Sequence, residues 1–216
     1  LSGIVDDKTQ PVAFIGIVEK GYLSLQLTVV GKGGHSSIPT RETPVSILSR
    51  GLYRLTRHPF PAHLVEPVDQ MLDYIGPDMS YPMKMILANR WLFKNIVFYA
   101  MSQQPLTDAM IRTTIAPTML EGSIKENVLP TQAKAVVNFR LLPHDTMEKV
   151  ITQVRERLYD SRIKIQPLKT YSQPSVVSDV NTMSYRLLAR TIRQIDPEII
   201  VSPWLVVGAT DSRHYA

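Results

Sequence analysis

The 216-residue chain is 44% hydrophobic and 20% charged, has no cysteine and carries a formal net charge of +5. That is apolar material for one domain or two small ones. It excludes a disulfide framework, a thiolate metal site and a cysteine nucleophile. No apolar run reaches the roughly 20 residues of a membrane-spanning helix, and the cations are scattered rather than gathered into the stripe that a nucleic acid would favour.

Val12 to Val18 is a short apolar run and predicts a buried strand. From Tyr22 to Val30 the alternation is strict, with Leu23, Leu25, Leu27 and Val29 on one side and Ser24, Gln26 and Thr28 on the other. That pattern predicts a half-buried strand. Gly33-Gly34-His35-Ser36-Ser37-Ile38-Pro39-Thr40 follows as a turn. Glycines permit a tight turn or a close backbone approach, and a histidine fixed on such a turn can donate a hydrogen bond to a developing oxyanion. Alternatively His35 is an idle, exposed turn residue. Thr43 as N-cap and Pro44 at the first helical position start a helix over 44–56, ending before His58-Pro59.

Six prolines divide residues 58–109, with helical segments expected near 65–75 and 82–100. This stretch reads as an insertion. Regularity returns with a strand over 110–117, a turn or bulge at Glu121-Gly122-Ser123, and a polar excursion at 125–130. A second alternating strand covers 132–142, with Arg140 on its polar side. Asp145 and Glu148 resemble a capping box for a helix over 146–159, and a further strand covers 163–170. The resulting βαββαβ order is the ferredoxin-like α+β layout, with both helices on one sheet face.

Beyond Thr170, Asp179 or Asn181 would cap a helix carrying Met183, Leu187, Leu188 and Ile192. An apolar strand over 199–207 then runs into Gly208-Ala209-Thr210-Asp211-Ser212-Arg213, as α/β domains place site residues at strand ends. Residues 1–20 and 171–216 therefore read as two fragments of one α/β domain, with the module of 21–170 inserted between them. Both ends read as cut from a longer chain.

Four motifs now stand in order: Glu19-Lys20-Gly21-Tyr22 with the Gly33–Pro39 turn, Asn127-Val128-Leu129-Pro130, Asn138-Phe139-Arg140-Leu141-Leu142-Pro143, and Gly208 to Tyr215. Together they resemble M20 metallopeptidases of the carboxypeptidase S branch, which includes N-acyl amino acid hydrolases. The resemblance implies a lid and dimerisation domain over 21–170, flanked by catalytic-domain fragments. It implies two zinc ions whose ligands lie outside this chain, so that the fragment alone is inactive. The substrate would be a small peptide or N-acyl amino acid, cut at an amide bond beside a free carboxylate.

By the same resemblance, His35 crosses to the active site of the other protomer of a homodimer and polarises the scissile carbonyl. Arg140 grips the substrate carboxylate, and Asn127 hydrogen-bonds substrate beside it. Gly208, Thr210 and Arg213 fall on the segment that lines the pocket; Asp211 and Arg213 alternatively form an ion pair that shapes the turn. Arg140 alternatively is a solvated surface residue, and Asn127 a turn residue. Glu19 is placed at the lid hinge and not among the metal ligands. One departure is Ala209, where the family has glycine. Two further readings are a non-catalytic relative kept for oligomerisation, and an RNA-binding ferredoxin-like module. The second lacks an aromatic cluster on the sheet.

Overall fold

A computed structural model describes residues 11–214, the last two by backbone alone. Its elements in chain order begin with β1 (Val12–Glu19), β2 (Gly21–Val30), β3 (Gly34–His35) and α1 (Pro44–Arg57). Four helices follow, α2 (Glu66–Ile75), α3 (Tyr81–Ala88), α4 (Arg90–Met101) and α5 (Pro105–Ile111). Then come β4 (Thr114–Glu121), β5 (Val128–Leu129), β6 (Gln132–Leu141), α6 (Met147–Leu158), β7 (Lys164–Ser172), α7 (Met183–Ile195) and β8 (Ile200–Val206). They form two compact units. One comprises residues 21–60 and 113–173, and the other comprises the described residues among 1–20, 61–112 and 174–216.

The first unit is an antiparallel sheet of order β4-β6-β2-β7, the ferredoxin-like arrangement, with α1 and α6 packed together on one face. Alternation dictates that face. Leu23, Leu25 and Leu27 of β2 lie opposite Phe139, Val137 and Ala135 of β6, and all six are buried. Ile47, Leu48 and Leu55 of α1 and Val150, Val154 and Leu158 of α6 close the core. Each fully buried leucine there contributes ~1.5–3 kcal/mol. Phe60 meets Phe139 edge-on at 6.2 Å between ring centroids. Phe139 is fully buried, so it offers no stacking platform of the kind an RNA-binding sheet presents.

Thr43 caps α1 as expected, through a reciprocal box with Ser46. The cap of α6 is Thr146 rather than Asp145: the Thr146 hydroxyl accepts from the Lys149 N–H, while the Asp145 carboxylate accepts from the Thr113 hydroxyl. Thr113 also accepts from the Leu142 N–H, so Asp145 serves to hold the turn before the helix. Likewise Thr182, not Asp179 or Asn181, caps α7; Asp179 accepts from the Asn181 N–H one turn earlier.

In the second unit β1 and β8 pair in parallel, from Val12 with Ile200 to Glu19 with Val206, and α2 packs against β8. Residues 61–112, read as an insertion, lie within this unit. The expected helix over 82–100 is two helices broken at Asn89, and the strand expected from Met110 starts at Thr114. Met110 and Ile111 instead finish α5, where helical packing buries both. The buried Lys20 ammonium explains this ending: it donates to the carbonyls of Ala109 and Arg112, both at 2.7 Å, and so satisfies the end of α5. On α7 the buried residues are Tyr185 and Ala189, and Met183, Leu187 and Leu188 are exposed.

Candidate functional site

His35 stands where β3 meets β5. Gly34 pairs with Leu129 and His35 with Val128, and the Ser36 N–H donates to the Asn127 carbonyl at 3.1 Å. This small ladder fixes the backbones of His35 and Asn127 side by side. Gly33 makes it possible: a Cβ there would lie 2.8 Å from Thr131 Cγ2 and 3.2 Å from the Leu129 carbonyl oxygen. Gly34 is under no such constraint, its nearest neighbour being Leu129 Cδ1 at 3.8 Å. The turn thus needs a glycine for close approach, and no glycine among the described residues has a positive φ.

The imidazole is exposed, and its Nδ1 lies 3.2 Å from the Ser37 N–H and 2.8 Å from Ser37 Oγ. A backbone N–H can only donate, so Nδ1 is the acceptor. The hydrogen-bond network therefore assigns the neutral ring its proton on Nε2, which is left as a donor. The sequence reading did not single out Ser37; its place two residues after a histidine in a turn is the available signal.

Arg140 lies elsewhere on the same unit. It is half-buried on the sheet face opposite the helices, in register with Tyr22 and Thr114. Its guanidinium lies 4.8 Å from the Tyr22 ring centroid, a cation–π contact that orients the fork. Beside it the Asn138 amide donates to Ser24 Oγ at 3.0 Å, and that hydroxyl donates to the Tyr22 hydroxyl at 3.1 Å. No carboxylate among the described residues forms an ion pair with Arg140. Its fork is available for a bidentate carboxylate.

Asn127 is beside His35 and not beside Arg140. Arg140 lies eight positions along β6 from Gln132, where the His35 turn adjoins, which is roughly 26 Å at ~3.3 Å per strand residue.

Thr210 belongs to the second unit. Its N–H donates to both oxygens of the Glu19 carboxylate at 3.1 Å, and its hydroxyl also bonds Glu19. Ser212 Oγ donates to the same carboxylate at 2.8 Å. Glu19 is buried and its own N–H donates to Ser175 Oγ, so it pins the segment after β8 to the end of β1. An acid closing an apolar strand was the sequence signal for this anchor. A Cβ on Gly208 would meet nothing within 4 Å. The Arg213 side chain lies outside the described residues. Among the described residues no group of three or more histidines, acids or cysteines could hold a metal ion.

Residues 17–164 match the family described as the M20 peptidase dimerisation domain. The chain is 38% identical to the mouse N-fatty-acyl-amino acid synthase/hydrolase PM20D1 over 219 residues, covering 100% of this chain and 44% of that protein. It is 35% identical to the probable carboxypeptidase S-like 2 of Dictyostelium discoideum, covering 96% of this chain and 40% of that protein. The chain thus spans under half the length of these relatives. Among solved structures, human carnosine dipeptidase 1 is similar with TM-score 0.59 at 15% identity, over 95% of this chain and 47% of that one. An M20 family metallo-carboxypeptidase from Sulfolobus solfataricus gives 0.58 at 19%, over 93% and 55%. At such identities the structural likeness establishes the fold.

Proposed function

Because this chain belongs to the M20 peptidase dimerisation-domain family, we propose that it is the lid and dimerisation part of a metal-dependent amidohydrolase. The substrate is an N-acyl amino acid or small peptide with a free carboxylate. The observation that carries this reading is the pair of ready donors on one compact unit, an Nε2–H on the exposed His35 ring and a guanidinium on Arg140 without a carboxylate partner among the described residues.

Each has a separate task. Arg140 binds the carboxylate bidentately, which orients the amide. His35 donates from Nε2 to the carbonyl oxygen as negative charge develops there, while the Asn127 amide supports the same end of the substrate. Since the β3–β5 ladder adjoins one end of β6 and Arg140 lies near the other, a complete site takes Arg140 from one protomer and His35 with Asn127 from its partner. The sheet has two open edges for such pairing, β4 and β7, and β4 exposes Met119 and Leu120. Gly208 and Thr210 fall on the segment that the family resemblance assigns to substrate lining, with Thr210 held in place by Glu19.

The metal pair implied by the family resemblance has no fitting ligand set among the described residues. By that resemblance its ligands lie in sequence outside them. The family resemblance implies that the chain alone is inactive. In the full-length protein, His35→Ala lowers kcat for N-acyl amino acid hydrolysis by about 10²–10³, the usual effect of deleting one oxyanion donor. An unchanged kcat removes His35 from the reaction.

A further inference from the structure

Four polar side chains form a square on the sheet face that the helices leave uncovered. Tyr22 and Ser24 stand two positions apart on β2, so they project from the same face. Their register partners on β6 are Arg140 and Asn138. Leu23 between the first two and Phe139 between the second two are fully buried in the core under the helices, which puts the square on the opposite face. Tyr22, Asn138 and Arg140 are half-buried there, and Ser24 is buried.

The hydrogen bonds of the square run in one direction. Asn138 Nδ2 donates to Ser24 Oγ at 3.0 Å, and Ser24 Oγ donates to the Tyr22 hydroxyl at 3.1 Å. Asn138 Nδ2 also reaches the Leu23 carbonyl at 3.4 Å, so both its acceptors lie on β2. The hydroxyl end of Tyr22 is thus tied to the sheet, while its ring lies 4.8 Å from the Arg140 guanidinium carbon. The negative face of the ring attracts the cation. Across the sheet the row reads Thr114, Arg140, Tyr22, Ser172, so no acid stands beside the guanidinium in its own row.

A freely rotating arginine loses that freedom when it grips a ligand, and a contact that already holds it lowers the cost of binding. The ring also takes water from one face of the guanidinium and leaves its planar N–H edge for the ligand. That edge matches the two oxygens of a carboxylate better than the single acceptor oxygen of a carboxamide. We propose that Tyr22 is a positioning residue for substrate recognition. Acting through Arg140, and with its hydroxyl held by Ser24 and Asn138, it sets the preference for a carboxylate over a neutral end group. This inference rests on the carboxylate-binding role proposed for Arg140.

Steady-state kinetics of the full-length protein test it, with N-dodecanoylphenylalanine and its neutral primary carboxamide as probes and melting temperature checked for each variant. In the wild type the acid has the lower KM. Tyr22→Leu raises KM for the acid about five- to tenfold, the scale of one partly desolvated cation–π contact. It leaves kcat and the KM of the carboxamide unchanged, a split that a disturbed fold would not give. Tyr22→Phe, which keeps the ring, stays within about twofold of the wild type. Arg140→Ala raises KM for the acid further, and adding Tyr22→Leu to it has no additional effect, because the tyrosine acts only through the arginine. If Arg140→Ala leaves KM for the acid unchanged, the carboxylate role of Arg140 fails and this inference falls with it. If Arg140→Ala has its effect while Tyr22→Leu is silent, acts equally on acid and carboxamide, or adds to Arg140→Ala, this inference alone is overturned.

Discussion

Adjacent glycines in one motif have different physical roles. Gly33 carries the β3–β5 ladder because any side chain there collides with Thr131 and the Leu129 carbonyl, whereas Gly34 faces only ordinary contact distances. Gly33→Ala should therefore cost about 1–3 kcal/mol, the range for overpacking, and disturb the placement of His35. Gly34→Ala should be close to silent. Urea denaturation of both variants decides this, and equal effects would mean that the two residues share a purely conformational role.

A second residue-scale prediction concerns charge. Hydrogen bonding from the Arg162 guanidinium holds the Asp160 carboxyl at about 2, below its ordinary 3.8, against the opposing effect of burial. Glu42, bonded by Arg162 and Arg50, is lowered too. A carboxyl depressed in the folded state stabilises the fold above its unfolded pKa and loses that contribution as pH falls. The urea midpoint should hold above pH 4 and drop between pH 4 and pH 2. In Asp160→Asn the drop should be shallower, and an identical profile would show the network to be inert.

Helix starts were legible by kind but not by position. For α1 the Thr43-Pro44 pair leaves one candidate cap, and the structure uses it. For α6, Asp145 and Thr146 are both good caps by type, and the choice was settled by a residue 32 positions earlier: Thr113 claims Asp145, leaving Thr146 for the helix. Local sequence cannot show such a contact. Thr146→Ala should cost ~1 kcal/mol in chemical denaturation, a typical cap loss. A negligible cost, with Glu148→Ala destabilising instead, would restore the shifted cap. The same long-range dependence hid α5. Met110 and Ile111 lead into a β-branched run that reads as strand, yet the Lys20 ammonium, 89 positions from Ala109, ends a helix there.

Across the whole molecule, the four-stranded sheet was readable because the apolar residues of β2 and β6 recur at every second position and those sides are buried against the helices, although Ser24 and Thr28 on the other side of β2 are buried as well. The packing of residues 61–112 with the β1–β8 unit was not, since a proline-divided stretch has no period that names its neighbours. His35, Asn127 and Arg140 were legible as residues, but their spacing was not. Only strand register reveals that β5 brings Asn127 to His35 while Arg140 lies at the far end of β6. That register is the basis for the proposed division of the site between protomers.

The most direct test of that division mixes two inactive variants of the full-length protein, His35→Ala and Arg140→Ala, under conditions that exchange subunits. In a shared site each mixed dimer holds one intact combination, Arg140 from the first variant and His35 from the second. Random exchange at equal concentrations then restores about a quarter of wild-type activity, as twofold symmetry requires. Recovery near that level supports the account. If mixed dimers form and no activity returns, both residues act within one protomer, and the division of the site is wrong.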